Sequence, residues 1–202
     1  MGRRLLGTGL AALFLACAFN VFAAAAQSPG QRDPTVYLLP VEDLPSGFEY
    51  QPDRDRTLVE ADAVRAIRLY TRGNPEVPTD EHASILLAAS VSDSVELAAA
   101  DFQETIHTWT NLGYELSPVQ NEVGDEAAAG WDTLFVGTEH PKQAALLLFR
   151  RGAVNAVVQW TDDPAEVTLD HAFVIGRQME LRIDANASAR PVASTTMKDT
   201  SV

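Results

Sequence analysis

The chain has 202 residues, with 15 Lys or Arg against 28 Asp or Glu, a formal net charge of −13, 46% hydrophobic residues and one Cys. Hydrophobic content at this level excludes a disordered chain, and a single Cys excludes both a disulfide scaffold and a Cys-based zinc cluster. The acidic balance argues against nucleic acid as a partner, because phosphate neutralisation needs clustered Lys and Arg.

Residues 1–26 read as an export signal. Arg3 and Arg4 supply the positive start, residues 5–22 are almost wholly apolar, and four alanines at 23–26 offer the small residues that signal peptidase requires. Cleavage after Ala26 leaves Gln27 as the mature N-terminus and takes the only Cys, Cys17, with it. The alternative is an uncleaved membrane anchor, since residues 5–26 are long enough to cross a bilayer. Lipidation at Cys17 is the weaker reading, because Phe14 stands where such signals carry Leu and the apolar run continues past the Cys. The cleaved chain keeps 13 bases against 28 acids, a charge of −15 over 176 residues. Without thiols, its stability rests on a packed core.

Residues 27–34 read as a polar linker, 35–183 as a single domain and 184–202, rich in Ala, Ser and Thr, as a disordered tail. Within the domain, Thr57 and Glu60 suggest a capping box and a short helix through about residue 62. Alternation at 66–72 predicts a half-buried strand with Ile67, Leu69 and Thr71 on one side and Arg68, Tyr70 and Arg72 on the other. Residues 73–81 read as a loop and 84–92 as a second strand. A helix follows over 95–112, capped by Asp93 with Glu96 and stopped by Gly113. Val95, Ala98, Ala99, Phe102, Ile106 and Trp109 form its apolar stripe, and Asp101, Gln103, Glu104, His107 and Thr108 its wet face.

A strand is predicted at 131–136. Residues 143–150 and 153–161, joined at Arg151-Gly152, form the best hairpin candidate, apolar enough to sit at the centre of a sheet. Asp163, Pro164 and Glu166 then read as the start of a second helix that buries Leu169, Ala172, Phe173, Gly176, Met179 and Ile183. The expected fold is α+β, an antiparallel sheet of about five strands covered by two long helices.

Three short motifs carry a resemblance: Asp-Leu-Pro-Ser-Gly-Phe at 43–48, Val-Gly-Asp-Glu-Ala at 123–127 and Leu-Leu-Phe-Arg-Arg-Gly-Ala-Val-Asn-Ala-Val-Val at 147–158. In them the chain resembles uncharacterised bacterial secreted or lipoprotein-type domains, similar in layout to extracytoplasmic sensor domains and the PsbP-like α+β sandwich. Gly152-Ala153 replaces the Gly-Asn of that pattern, and the lipidation Cys is absent. The resemblance implies export and an α+β fold, and it carries no catalytic signature.

The chemistry of sites is sparse. His82, His107, His140 and His171 are dispersed, with no His-Glu-x-x-His, so no metal site is assigned, and neither is a cofactor. Asp53 and Asp55, with Asp33 or Asp43, lack calcium-loop spacing. No Gly-x-Ser-x-Gly elbow and no phosphate loop occurs. The adjacent acids Asp125-Glu126 and Asp162-Asp163 are unremarkable among 28. The basic cluster Arg65, Arg68 and Arg72, with Arg54 and Arg56, reads chiefly as an offset to Asp53, Asp55, Glu60 and Asp62. The sequence therefore points to an exported, non-catalytic module that binds a small ligand or an envelope protein. Its expected site is a pocket between sheet and helices, rimmed by Arg68, Tyr70 and Arg72. The alternatives are a structural or assembly accessory of the cell envelope, and an enzyme with an unrecognised carboxylate pair. No nucleic acid is expected, and a membrane only if the N-terminal segment is retained.

Overall fold

The computed structural model describes residues 33–73, 82–134 and 141–188. The export signal, most of the linker, the loop at 74–81, the end of the strand expected at 131–136, His140 and the tail after Ser188 lie outside the described residues. The strands are β1 (Glu49–Tyr50), β2 (Arg56–Val59), β3 (Ala63–Arg72), β4 (Ala83–Ser92), β5 (Glu115–Val119), β6 (Glu126–Leu134), β7 (Lys142–Arg151) and β8 (Val154–Asp162). Among the described residues two α-helices, α1 (Val95–Asn111) and α2 (Leu169–Ser188), follow β4 and β8.

The hairpin β7–β8 is the middle of the sheet. The strand order is β1-β3-β4-β8-β7-β6-β5, all antiparallel, with β2 continuing the β1 edge along β3. Successive side chains on a strand point to opposite faces. Ala145, Leu147 and Phe149 of β7 join a core with Ala172, Ile175, Met179 and Ile183 of α2. Ala144, Leu146 and Leu148 join a second core with Phe102 and Trp109 of α1. The helices therefore lie on opposite faces, and the central strands are buried on both. This is why 143–150 and 154–158 carry almost no alternation of apolar and polar residues.

The expected five-stranded sheet covered by two helices is thus corrected to eight strands with one helix on each face. The physical reasons are local. Residues 56–59 pair with β3 rather than forming a helix, so the Thr57–Glu60 spacing caps nothing. Strand β5 carries Pro118 and little apolar character, and such an edge strand has no strong pattern. On the α2 face the flank beside the helix is closed by the segment before β1. Its 3₁₀ turn at Pro34–Tyr37 is capped by Asp33 and buries Tyr37, Leu38 and Leu39, so the fold begins inside the expected linker.

Helix starts also moved. Ser94, not Asp93, caps α1 by accepting from Leu97 N, and Val95 is exposed. Residues 164–166 form a turn, and α2 begins at Leu169, with Thr168 Oγ1 accepting from His171 N. Its far end runs through Asp184, which pairs with Arg151 at 2.9 Å, to Ser188.

Two glycines fix close approaches. A Cβ at Gly130 would lie 1.9 Å from the Glu115 carbonyl oxygen, backbone that cannot give way. At Gly176 it would meet the end of the Leu147 side chain at 2.5 Å, which is where α2 rests on the sheet. Gly130→Ala is expected to lower the unfolding free energy by about 3 kcal/mol and Gly176→Ala by about 1 kcal/mol, because only the second clash is relieved by a side-chain rotation. Urea titration of both variants checks the order.

Candidate functional site

Arg68, Tyr70 and Arg72 do share a face, the α2 face of β3, but the N-terminal segment lies across them. The Tyr70 hydroxyl is fully buried and donates to the Leu39 carbonyl. Arg68 also reaches Leu39 O, at 3.4 Å, stacks over the Tyr50 ring at 5.3 Å and lies 3.7 Å from Asp55. Arg72 pairs with the buried Asp162 at 2.6 Å and covers the Phe48 ring at 5.3 Å. Each of the three side chains fastens the chain before β2 to the sheet, and neither cavity described below is lined by them. Arg65 points to the other face, so the basic cluster is divided. Its members meet Asp101, Asp55 and Asp162. The acid pairs separate as well: Asp162 faces Arg72 while Asp163 meets Lys142 at 2.7 Å. Among the described residues no group of three His, Cys, Asp or Glu could hold a metal ion.

The open space lies under α1. On this face one register row runs Arg65, Ser90, Asn155, Arg150 and Glu126 across β3, β4, β8, β7 and β6. The next row runs Ile67, Ala88, Val157, Leu148, Ala128 and Pro118. A polar row thus borders an apolar one, and α1 crosses both.

Where α1 spans β3, β4 and β8 it leaves an inner cavity of about 50 Å³. Its walls are apolar, including Ile67, Leu86, Ala88, Trp109, Leu148 and Val157, and its polar end is formed by Arg65, Ser90, Asp101 and Asn155. Asn155 is buried and donates both amide hydrogens, to Ala98 O at 2.9 Å and to Asp101 Oδ2 at 2.8 Å. The other Asp101 oxygen lies 3.3 Å from Arg65. Asn155 Oδ1 and Ser90 Oγ are buried and make no hydrogen bond. Asp101 therefore belongs to the site rather than to a wet helix face.

A second space, of about 450 Å³, opens between α1 and the β5–β6 edge. Phe102, Ile106, Leu116, Pro118 and Val123 supply apolar wall, and Gln103, Ser117 and Asn121 polar rim. The buried ring of Phe102 lines both spaces.

The rim of this outer groove explains two of the sequence motifs, because they bind each other. Gly124 has φ +68, and a Cβ there would sit 2.6 Å from the Arg150 carbonyl oxygen. Asp125 accepts from Gly152 N at 2.7 Å and from Arg151 at 2.9 Å, and Glu126 accepts from Arg150 at 2.6 Å. The Gly-Asp-Glu turn is thereby locked to the Arg-Arg-Gly hairpin. Glu180 of α2 holds Gly124 N at 2.9 Å from the other side.

No family model and no curated protein matches the chain. Among solved structures, a crystal structure at 1.50 Å from Bacteroides thetaiotaomicron VPI-5482 is similar over 65% of this chain and 40% of its own, at 13% identity and a TM-score of 0.37. The chain thus spans less than half the length of that protein.

The site was only partly visible in sequence. The one available signal was Asn155, an amide flanked by apolar residues in a central strand, with Ser90 as a weaker counterpart in β4. Burial acts to raise the Asp125 carboxyl, but the Gly152 N–H and the Arg151 and Arg150 guanidiniums outweigh it and hold its pKa below the usual carboxylate range. An acid whose folded pKa is depressed stabilises the fold above its unfolded pKa of about 3.9 and loses that contribution as pH falls through the folded value. Asp125→Asn is therefore expected to lower the urea midpoint at pH 7, with the gap to the parent protein closing as pH falls below about 4. Parallel urea titrations across this pH range check it.

Proposed function

We propose that this protein is an exported, non-catalytic binding module that holds a small, partly apolar ligand in the groove between α1 and the β5–β6 edge. The observation that carries the reading is the groove itself. At about 450 Å³ it falls in the size range of small-molecule sites, and it sets an apolar wall against an extensive polar rim that includes Gln103, Gln120, Asn121, Asp125 and Glu126. The rigidity of that rim supports it too: Gly124, Asp125 and Glu126 are tied to the β7–β8 turn and to Glu180, so the groove is shaped before any ligand arrives. Among the described residues no helix is long and apolar enough to cross a membrane. Export rests on residues 1–26, and N-terminal sequencing of the purified extracytoplasmic protein is expected to begin at Gln27.

The test of binding is purification from the exported fraction under native conditions, followed by mass spectrometry of the intact protein. A co-purifying small molecule is expected on the parent protein and is expected to be lost in Ile106→Trp, where the indole fills the groove from α1. Retention of the same molecule by Ile106→Trp, or the absence of any on both, contradicts the groove as the site.

A further inference from the structure

We propose that the inner cavity and the outer groove are one ligand site divided by the Phe102 ring, and that its deep end selects a hydroxyl group carried on a short apolar chain. The inference rests on the reading of the outer groove as a ligand site and adds the chemical class of what enters it.

The selection follows from which valences are left open. Asn155 gives both N–H groups to Ala98 O and Asp101 Oδ2. A carbonyl and a carboxylate only accept, so the orientation of the Asn155 amide is fixed and its oxygen is the end left without a partner. Ser90 is its register neighbour on β4, turned to the same face, and its hydroxyl is likewise buried without a hydrogen bond. Buried polar atoms with no partner destabilise the empty site, and a group that satisfies them recovers that free energy. Asn155 Oδ1 can only accept, whereas Ser90 Oγ can donate or accept. A hydroxyl matches the pair, because it donates to Asn155 and accepts from Ser90. A carboxylate does not, because it would set its charge against Asn155 Oδ1 and against Asp101, whose own carboxylate already takes the Arg65 guanidinium.

Size sets the rest. A space of about 50 Å³ holds about three to five water-sized groups, at about 10–15 Å³ each. That accommodates the hydroxyl and the first two or three carbons against Ile67, Ala88, Leu148 and Val157. A longer chain can continue past Phe102 into the outer groove, where Ile106, Leu116 and Pro118 extend the apolar wall. Leu148 and Ala128, wall residues of the two spaces, are register partners on adjacent strands, so a turn of the ring joins the spaces along a continuous floor.

The probes are 1-hexanol and hexanoate, titrated into ¹⁵N-labelled protein and read at the Asn155 side-chain amide and the Ser90 backbone amide. Saturable shifts with 1-hexanol, and none with hexanoate at the same concentration, are expected. Ser90→Ala removes one hydrogen bond without disturbing Asn155, so 1-hexanol is expected to bind it about tenfold more weakly, while the ligand-free protein melts no lower than the parent because an unpartnered buried hydroxyl is gone. Equal response to the two probes, or undiminished 1-hexanol binding by Ser90→Ala, overturns the assignment of the deep end. So does silence of both amides towards 1-hexanol, which leaves water as the only occupant of the chamber. In each of these cases loss of the co-purifying molecule in Ile106→Trp would still stand, so the failure of this inference is distinguishable from failure of the groove.

Discussion

The rest of the structure depends on burying the β7–β8 hairpin on both of its faces. A strand pair with Leu146, Leu147, Leu148 and Phe149 in succession has no side that water can touch without exposing large apolar surface. That constraint requires a helix on each face, and the chain supplies them at the points where it leaves β4 and β8. It also requires the remaining strands to flank the hairpin symmetrically, β4 and β3 on one side and β6 and β5 on the other. Once this is imposed, little freedom is left for the rest of the sheet.

The two covers are unequal, and the difference is where function enters. Helix α2 packs tightly because Gly176 lets its backbone approach Leu147, and the N-terminal segment seals the adjoining strands through Tyr70, Arg68 and Arg72. Helix α1 crosses a row that contains Arg65, Ser90 and Asn155, and polar groups of this kind cannot be filled over with apolar side chains. Asn155 and Arg65 hold Asp101 and Ala98, and the helix is kept off the sheet enough to leave two cavities beneath it. The same polar residues therefore attach α1 and create the space it covers.

The strongly apolar elements were legible in the sequence: the β7–β8 hairpin and its central place, the second strand, both helices and the close approach at Gly176. Arg68, Tyr70 and Arg72 were correctly placed on one face of β3. Their role was not legible, because it depends on residues 34–48 folding back over them, and two 3₁₀ turns have no periodicity to read. Strands β1, β2 and β5 escaped for a related reason. They are short edge segments whose pairing is decided by the neighbouring strand rather than by their own pattern. The inner cavity was hidden because Asp101, six residues into a helix with other charges around it, has the sequence appearance of solvent-facing surface. Only the register of β4 and β8 shows what it meets.

The central claim is that the sheet has one tight cover and one loose one, and native-state hydrogen exchange tests it most directly. Amides of α1 are expected to exchange through an opening markedly smaller than global unfolding, while those of β7, β8 and α2 exchange only with the whole molecule. Protection of α1 equal to that of β7 and β8 would contradict the account, because α1 would then be as firmly seated as α2.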